Sequence, residues 1–364
     1  MYVSSHLPTR TFDRRVENPA GVMQPPDPKG FTEEALRGAA ARVPLYGLLS
    51  RARRRASGVD RGGFVRKQQT LADSVSCSGT GLHGGAPVRL VLSPARAGTG
   101  IVFVRTDRTH AVEIAARPGS VASTRLATTL GSGDASVGTV EHLLAALYGL
   151  GIDNARITVD GPELPVMDGS AASFVYLIRS AGICVQHEPR AVLRVLEPVE
   201  VDEGGRRIRI EPARGLRISY AVDFAHPAIK RQELRLEALD PRRFETEIAS
   251  ARTFGFLQDV RMLWHAGLAK GGSLRNTVLL DETRVLNPDG LRWPDEFVRH
   301  KVLDLLGDLA LLGVSIDGHV MVECGGHALH HRLVAALLER PQAWRLREAG
   351  PRSAPDLSPL LSPA

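Results

Sequence analysis

The chain has 364 residues, enough for two domains whose cores need no disulfide or metal staples. Its 43% hydrophobic and 24% charged residues suit an ordinary globular protein, and no run approaches the ~18 apolar residues of a membrane span. The formal charge of +6 lies wholly in residues 1–66, where 12 basic residues face 6 acidic ones, so the remainder offers no basic surface for nucleic acid.

Residues 1–66 mix Pro, Gly, Arg and Ala without a stable amphipathic period, and a disordered extension is expected there. A secretory signal pattern is lacking, and six acidic residues are unusual in a mitochondrial-type targeting peptide. Translation from a start near Val65 is the alternative. Cys77, Cys184 and Cys324 are odd in number and form no CxxC pair. That argues against a disulfide framework or a thiolate zinc site and fits a reducing cytoplasm, so any metal must be held by His and carboxylates.

From Lys67 the texture changes to short β-branched runs broken by Gly. Val88–Leu92, Ile101–Val104 and Ala155–Val159 read as strands. Thr139–Leu150 reads as a helix with Thr139 as its N-cap, and Ser173–Ala181 as a second helix. Strand texture restarts at Val192–Val195 and continues through Ile208–Ile210 and Ile218–Val222. The segment from 343 to 364 is rich in Pro and Ser and is expected to be loose.

Val140–Gly161 resembles Val298–Gly325. Each has Val, one residue and then His in the first turn of an apolar helix, followed by a Gly-bounded turn with Ile-Asp and a β-branched strand. This pattern suggests a duplicated α+β unit with a boundary near 189.

Phe297–Leu312 predicts a helix with His300, Asp304 and Asp308 on one stripe at ~100° per residue. The rest of its circumference is apolar, so the helix is expected to be buried and its stripe to be paired or to coordinate an ion. Spacing leaves both readings open. His300 and Asp304 are either metal ligands at i and i+4 or a hydrogen-bonded pair, and His142 is either a third ligand from the repeated helix or a satisfied core histidine. Beside His142, Glu141 points ~100° away and suits proton abstraction from water rather than coordination. His327 follows two glycines at the end of an expected strand, and Asp308 could hold its ring cationic. His110, His187, His265, His319, His330 and His331 read as surface or loop residues.

Six segments carry a specific resemblance: TVEHLLAALYGLGIDN (139–154), PELPVMDGSA (162–171), DFAHPAI (223–229), SARTFGF (250–256), GGS (271–273) and DEFVRHKVLDLLGDL (295–309). In order and over about Lys67–Trp344, they resemble the UDP-3-O-acyl-N-acetylglucosamine deacetylases, zinc-dependent enzymes of lipid A biosynthesis in Gram-negative bacteria. The resemblance implies an α+β fold of two domains of similar topology, each a two-layer α/β sandwich, with helices packed between the sheets. It places domain I at 67–188 and domain II at 189–342, with an insert near 255–280 forming an apolar passage for an acyl chain. It implies hydrolysis of the N-acetyl group of an acylated UDP-N-acetylglucosamine to acetate and free amine. Zinc (with Fe2+ as an alternative in the cell) would be bound by His142, His300 and Asp304. Glu141 matches the general base, His327 with Asp308 the general acid, and Thr253 a residue beside the developing oxyanion. Lys301, Phe254 and Asp259 match substrate-contacting residues. Arg206 stands where many members have Lys near the sugar nucleotide, and His83 in Gly79–His83 matches a motif without an assigned role. A cytoplasmic monomer acting on a small molecule, without nucleic acid or a transmembrane segment, is expected. The rival readings are a zinc amidohydrolase for another N-acetyl sugar, a non-catalytic lipid or sugar-nucleotide binder on the same fold, and nucleic-acid binding through residues 1–66.

Overall fold

The computed structural model describes residues 66–348, and all statements below concern those residues. The expected disordered extension and most of the expected loose tail lie outside them. The fold is α+β. Its longer helices are α1 (Glu141–Leu150), α2 (Ala172–Ala181), α3 (Leu257–His265), α4 (Glu296–Ala310) and α5 (His327–Glu339), beside a three-residue α segment at Pro241–Arg243 and short 3-10 and π turns.

In the first half, a five-stranded sheet has the lateral order Val75–Thr80, Pro87–Pro94, Ala155–Val159, Ile101–Arg105, Val112–Ala115. Only the pairing of Ala155–Val159 with Ile101–Arg105 is parallel in this sheet. Pro87–Pro94 buries Val88, Leu90 and Leu92 and turns the intervening residues outward, the period-two pattern of a sheet with one face on a core. In the second half, Ser315–Glu323 is the central strand. It pairs with Arg206–Glu211 along one edge and, in parallel, with Leu216–Phe224 and Ala191–Val195.

The expected strands are all present. Trp344–Glu348 departs from expectation: it is no loose tail but a strand paired antiparallel with Ala191–Val195, anchored by the buried Trp344, whose Nε1–H donates to Leu337 O. The duplicated pattern also has a structural form. Both α1 and the Leu311–Gly313 turn after α4 end at a glycine in the left-handed region, Gly151 (φ 79°) and Gly313 (φ 68°), before a strand begins.

Helices α1 and α4 pack directly on one another, and α4 also lies on strands Leu216–Phe224 and Lys230–Leu236. Their crossing is set by Gly307. A Cβ there would lie 2.2 Å from the backbone oxygen of Glu141, so only glycine permits this approach. Buried side chains from both sheets and from α1, α2, α4 and α5 join in one apolar cluster. Its burial supplies the main favourable free energy of the fold and gives polar groups near the α1–α4 crossing a rigid, dry frame.

Candidate active site

Helix α1 starts one residue later than Thr139 would cap. Val140 takes the cap position, while Thr139 adopts φ 55° and its hydroxyl donates to Glu163 Oε1 at 3.0 Å. The same carboxylate accepts the backbone N–H groups of His83 and Gly84, each at 2.8 Å. Glu163 therefore ties the Gly79–His83 loop to the residue that enters α1.

Glu141 and His142 occupy the first turn of α1, both buried. Across the crossing, α4 brings up His300 and Asp304 one turn apart. His300 Nε2 lies 3.3 Å and His142 Nε2 3.9 Å from Asp304 Oδ1, and the two rings meet edge-on with centroids 5.0 Å apart. A tetrahedral ion with ~2.0–2.1 Å bonds spaces its ligands by roughly 3.3 Å, so these three donors fit one divalent metal. The surroundings agree with that reading. His300 Nδ1–H donates to Ala251 O at 3.1 Å, which leaves the Nε2 lone pair facing Asp304. Burial pushes both imidazoles down, His142 to about 3, so they are neutral and able to coordinate. Burial pushes Asp304 up, but the neighbouring His300 ring and the Lys301 ammonium outweigh it and hold the carboxyl well below the usual range.

The Ala251 carbonyl is itself fixed. Arg252 places Nε–H on Glu296 Oε1 at 2.8 Å and Nη2–H on Oε2 at 3.1 Å, a buried two-point ion pair in the first turn of α4. Thr253 follows, held by its N–H on Gly169 O and its carbonyl under Val278 N–H, both 2.8 Å. It thus stands two residues from the carbonyl that orients His300. Phe254 sets its ring edge-on to His300, with centroids 6.3 Å apart. Lys301 Nζ donates to Asp304 Oδ2 at 2.8 Å and lies 5.6 Å from the Phe254 ring centre.

Farther along α4, Asp308 binds His327, the first residue of α5. His327 Nδ1–H donates to Asp308 Oδ2 at 2.8 Å, and Nε2 faces Glu141 Oε1 at 3.8 Å. Burial would lower the His327 pKa, but the Asp308 charge and hydrogen bond outweigh it and push it up to about 9. Burial pushes Glu141 up to about 7, with the His327 charge opposing. Thr128 closes the cluster: its N–H donates to Glu141 Oε2 at 3.0 Å and its hydroxyl to Asp308 Oδ1 at 2.6 Å. Asp308, His327 and His330 are also mutually close enough for a metal. Two Nδ1 atoms at 2.8 Å from one oxygen are instead hydrogen-bonded donors, so their protons fill that space.

The expected site residues Glu141, His142, His300, Asp304, Asp308, Lys301 and His327 are thus brought together, with Thr253 and Phe254 alongside. Arg206 and Asp259 are not joined to them by a hydrogen bond or ion pair among the described residues. Arg206 stands at the Gly204–Gly205 hairpin, on the strand whose next residue pairs with Glu323. Asp259 lies in the first turn of α3, where burial pushes its carboxyl up.

Three expectations are corrected. His327 begins a helix rather than ending a strand, because Ala328–Glu339 has helical apolar spacing and only the preceding glycines are extended or turned. His330 and His331 are not surface residues: on that helix they fall one turn beyond His327 and are buried against Asp308. His319 is half-buried within its strand, 2.9 Å from the Ser219 hydroxyl. Thr128, Tyr220 and the Arg252–Glu296 pair were not anticipated at all.

Comparison with known proteins converges on one group. The family model described as "UDP-3-O-acyl N-acetylglycosamine deacetylase" matches residues 68–339. A protein of Citrifermentans bemidjiense named UDP-3-O-acyl-N-acetylglucosamine deacetylase is 51% identical over 286 residues, covering 79% of this chain and 93% of that protein. Proteins of the same name from Myxococcus xanthus (51% identity, 77% of this chain, 88% of the relative) and Nitratidesulfovibrio vulgaris (53%, 76% and 89%) are similarly related.

Proposed function

Because the chain belongs to the UDP-3-O-acyl N-acetylglycosamine deacetylase family, we propose that it hydrolyses the N-acetyl group of a 3-O-acylated UDP-N-acetylglucosamine, releasing acetate and the free amine, as a step of lipid A biosynthesis. The observation that carries this reading is the placing of Glu141 and His327 3.8 Å apart beside the His142–His300–Asp304 donor set. That pairing puts a proton acceptor and a proton donor on the two sides of one small volume.

His142, His300 and Asp304 would hold the metal, with zinc favoured by two imidazoles and one carboxylate and Fe2+ compatible with the same set. When bound, the ion supplies Lewis acidity toward the amide carbonyl and toward water at neutral pH. Glu141 takes the proton of the attacking water on Oε1, since Oε2 is already occupied by the Thr128 N–H. His327, kept cationic by Asp308, gives its Nε2 proton to the departing amine and offsets charge on the tetrahedral oxygen. Thr253 contributes a donor on that side, fixed by backbone bonds before substrate arrives. Lys301 presents charge to the substrate while balancing Asp304 through Oδ2, and Phe254 lines the approach.

Helix α3 with its exposed Met262 and Trp264, between strands Phe254–Phe256 and Val278–Leu280, suits an acyl passage. Asp259 and Arg206 would border the substrate from that unit and from the hairpin. Three free cysteines suit a reducing cytoplasm, and no helix among the described residues is long and apolar enough to cross a membrane.

The test is acetate release from the UDP sugar with and without its 3-O-acyl chain, with metal content measured on the same preparation. The acylated substrate should be strongly preferred. Equal rates on both would point instead to a general N-acetyl sugar amidohydrolase, and no release from either to a binding protein.

A further inference from the structure

Asp308 accepts hydrogen bonds from three residues, two on α5 and one before α1. Its Oδ2 receives Nδ1–H of His327 and Nδ1–H of His330, each at 2.8 Å, while Oδ1 receives the Thr128 hydroxyl at 2.6 Å and lies 3.2 Å from His331 Nε2. Burial pushes this carboxyl up, but the His327 and His331 charges and the hydrogen bonds hold it well below the usual range. An ionised carboxylate only accepts, so both Nδ1 atoms carry protons.

The two rings differ at the other nitrogen. His327 Nε2 faces Glu141, whereas His330 Nε2 lies 3.0 Å from the hydroxyl of Tyr220 on strand Leu216–Phe224. Burial outweighs the pull of Asp308 and pushes His330 down, so its ring is neutral and Nε2 accepts the Tyr220 O–H. His330 and Tyr220 are both fully buried, and their rings meet edge-on. A neutral imidazole pinned at both nitrogens by a helix and a strand has one orientation. Around His327 stand Asp308 from α4, Glu141 from α1, Thr128, and His330 and His331 from its own helix, with the Asp304 charge beyond. Of the side chains around His327 itself, among the described residues, that of His330 also bonds to one outside the group, the Tyr220 hydroxyl.

We propose that Tyr220 and His330 form a positioning pair: Tyr220 orients the His330 ring, His330 fixes Asp308 Oδ2, and Asp308 thereby holds His327 with Nε2 toward the leaving amine. This inference rests on the deacetylase reading above. Without His330, Oδ2 loses one of its two donors and is held less firmly, so His327 samples orientations in which its proton misses the amine.

The experiment follows acetate release across pH by the zinc-loaded full chain, with zinc content and melting temperature, for the parent, His330→Leu, His330→Asn and Tyr220→Phe. His330→Leu should lower kcat about tenfold or more, with KM and zinc content within about twofold. His330→Asn, whose amide N–H can take the place of Nδ1–H, should recover to within about threefold of the parent. Tyr220→Phe should lower kcat severalfold and move the alkaline limb of the pH profile. Parental kcat in His330→Leu, equal impairment in His330→Asn, or a Tyr220→Phe profile identical to the parent's would each overturn the pair. Side-chain 15N NMR of the zinc-loaded parent should show His330 as the neutral Nδ1–H tautomer, and an Nε2–H tautomer would overturn it too. Should His330→Leu not fold, Tyr220→Phe and the tautomer decide. A parent that releases no acetate sinks the functional reading instead, and the tautomer still judges the pair.

Discussion

Glu141 and His327 face each other across 3.8 Å, and their neighbours suit them to opposite tasks in the proposed mechanism. The Asp308 carboxylate lifts His327 to about 9, above the ~6.5 of a free imidazole, so the pair stabilises the fold fully below about pH 6.5 and loses that contribution as pH rises through about 9. In the proposed mechanism catalysis inherits the same limit, because the acid must carry its proton. Asp308→Asn should therefore move the alkaline limb of the kcat profile from about pH 9 toward neutrality, and an unmoved limb would separate His327 from the acid role. Glu141→Gln keeps shape and the Thr128 contact but cannot take a proton. It should cost about 10²–10⁴ in kcat while metal content stays at parental level, and a modest loss would point to another base. His300→Ala removes a proposed ligand whose second nitrogen is fixed by a backbone carbonyl, and should abolish stoichiometric metal binding. Tight metal retained by this variant, measured after dialysis, would remove His300 from the ligand set.

At the level of elements, the site is a consequence of how closely two helices cross. Gly307 lets the backbone of α4 reach Glu141 O, and a Cβ would stand 2.2 Å from that oxygen. Gly307→Ala improves helix propensity yet must push α1 and α4 apart. Overpacking of this kind costs about 1–3 kcal/mol, and it also displaces the Glu141–His142 turn from His300 and Asp304. Melting temperature and kcat should fall together; a variant with parental values of both would show that the crossing has slack. The i, i+4 stripe of α4 and the repeated Val-x-His made these helices legible in the sequence, since their period is written into neighbouring residues. Thr128 was not legible, because its hydroxyl meets Asp308 across 180 positions and no local pattern records that contact. Helix α5 was missed for a different reason. Gly325 and Gly326 dominate the local signal, although Leu329, Leu333, Val334 and Leu337 carry a helical spacing that places His327, His330 and His331 within one turn.

For the whole molecule, every residue placed in the site lies between Thr128 and His331, inside the span 68–339 that matches the family. The buried cluster that supports it joins both halves of the described chain, from Leu71 to Trp344. Arg66 and Arg190 join at the outer boundary through an N–H···O bond of 2.8 Å, next to the antiparallel pairing of Lys67–Leu71 with Ile183–Pro189. A chain starting at Arg66 keeps all these contacts. Residues 1–65 hold 11 Lys and Arg against 6 Asp and Glu, so removing them takes away five of the six formal positive charges. Binding of a polyanion by the full chain should therefore be weak, strongly salt-dependent and lost in the shortened chain, whereas kcat/KM for the acylated UDP sugar should agree within about twofold between the two. Filter binding at two salt concentrations and the acetate assay, run on both chains, separate these effects. A shortened chain that loses deacetylation while keeping its melting temperature would show that residues 1–65 contribute to the site, and would overturn the view that the chemistry resides wholly in the family-matching span.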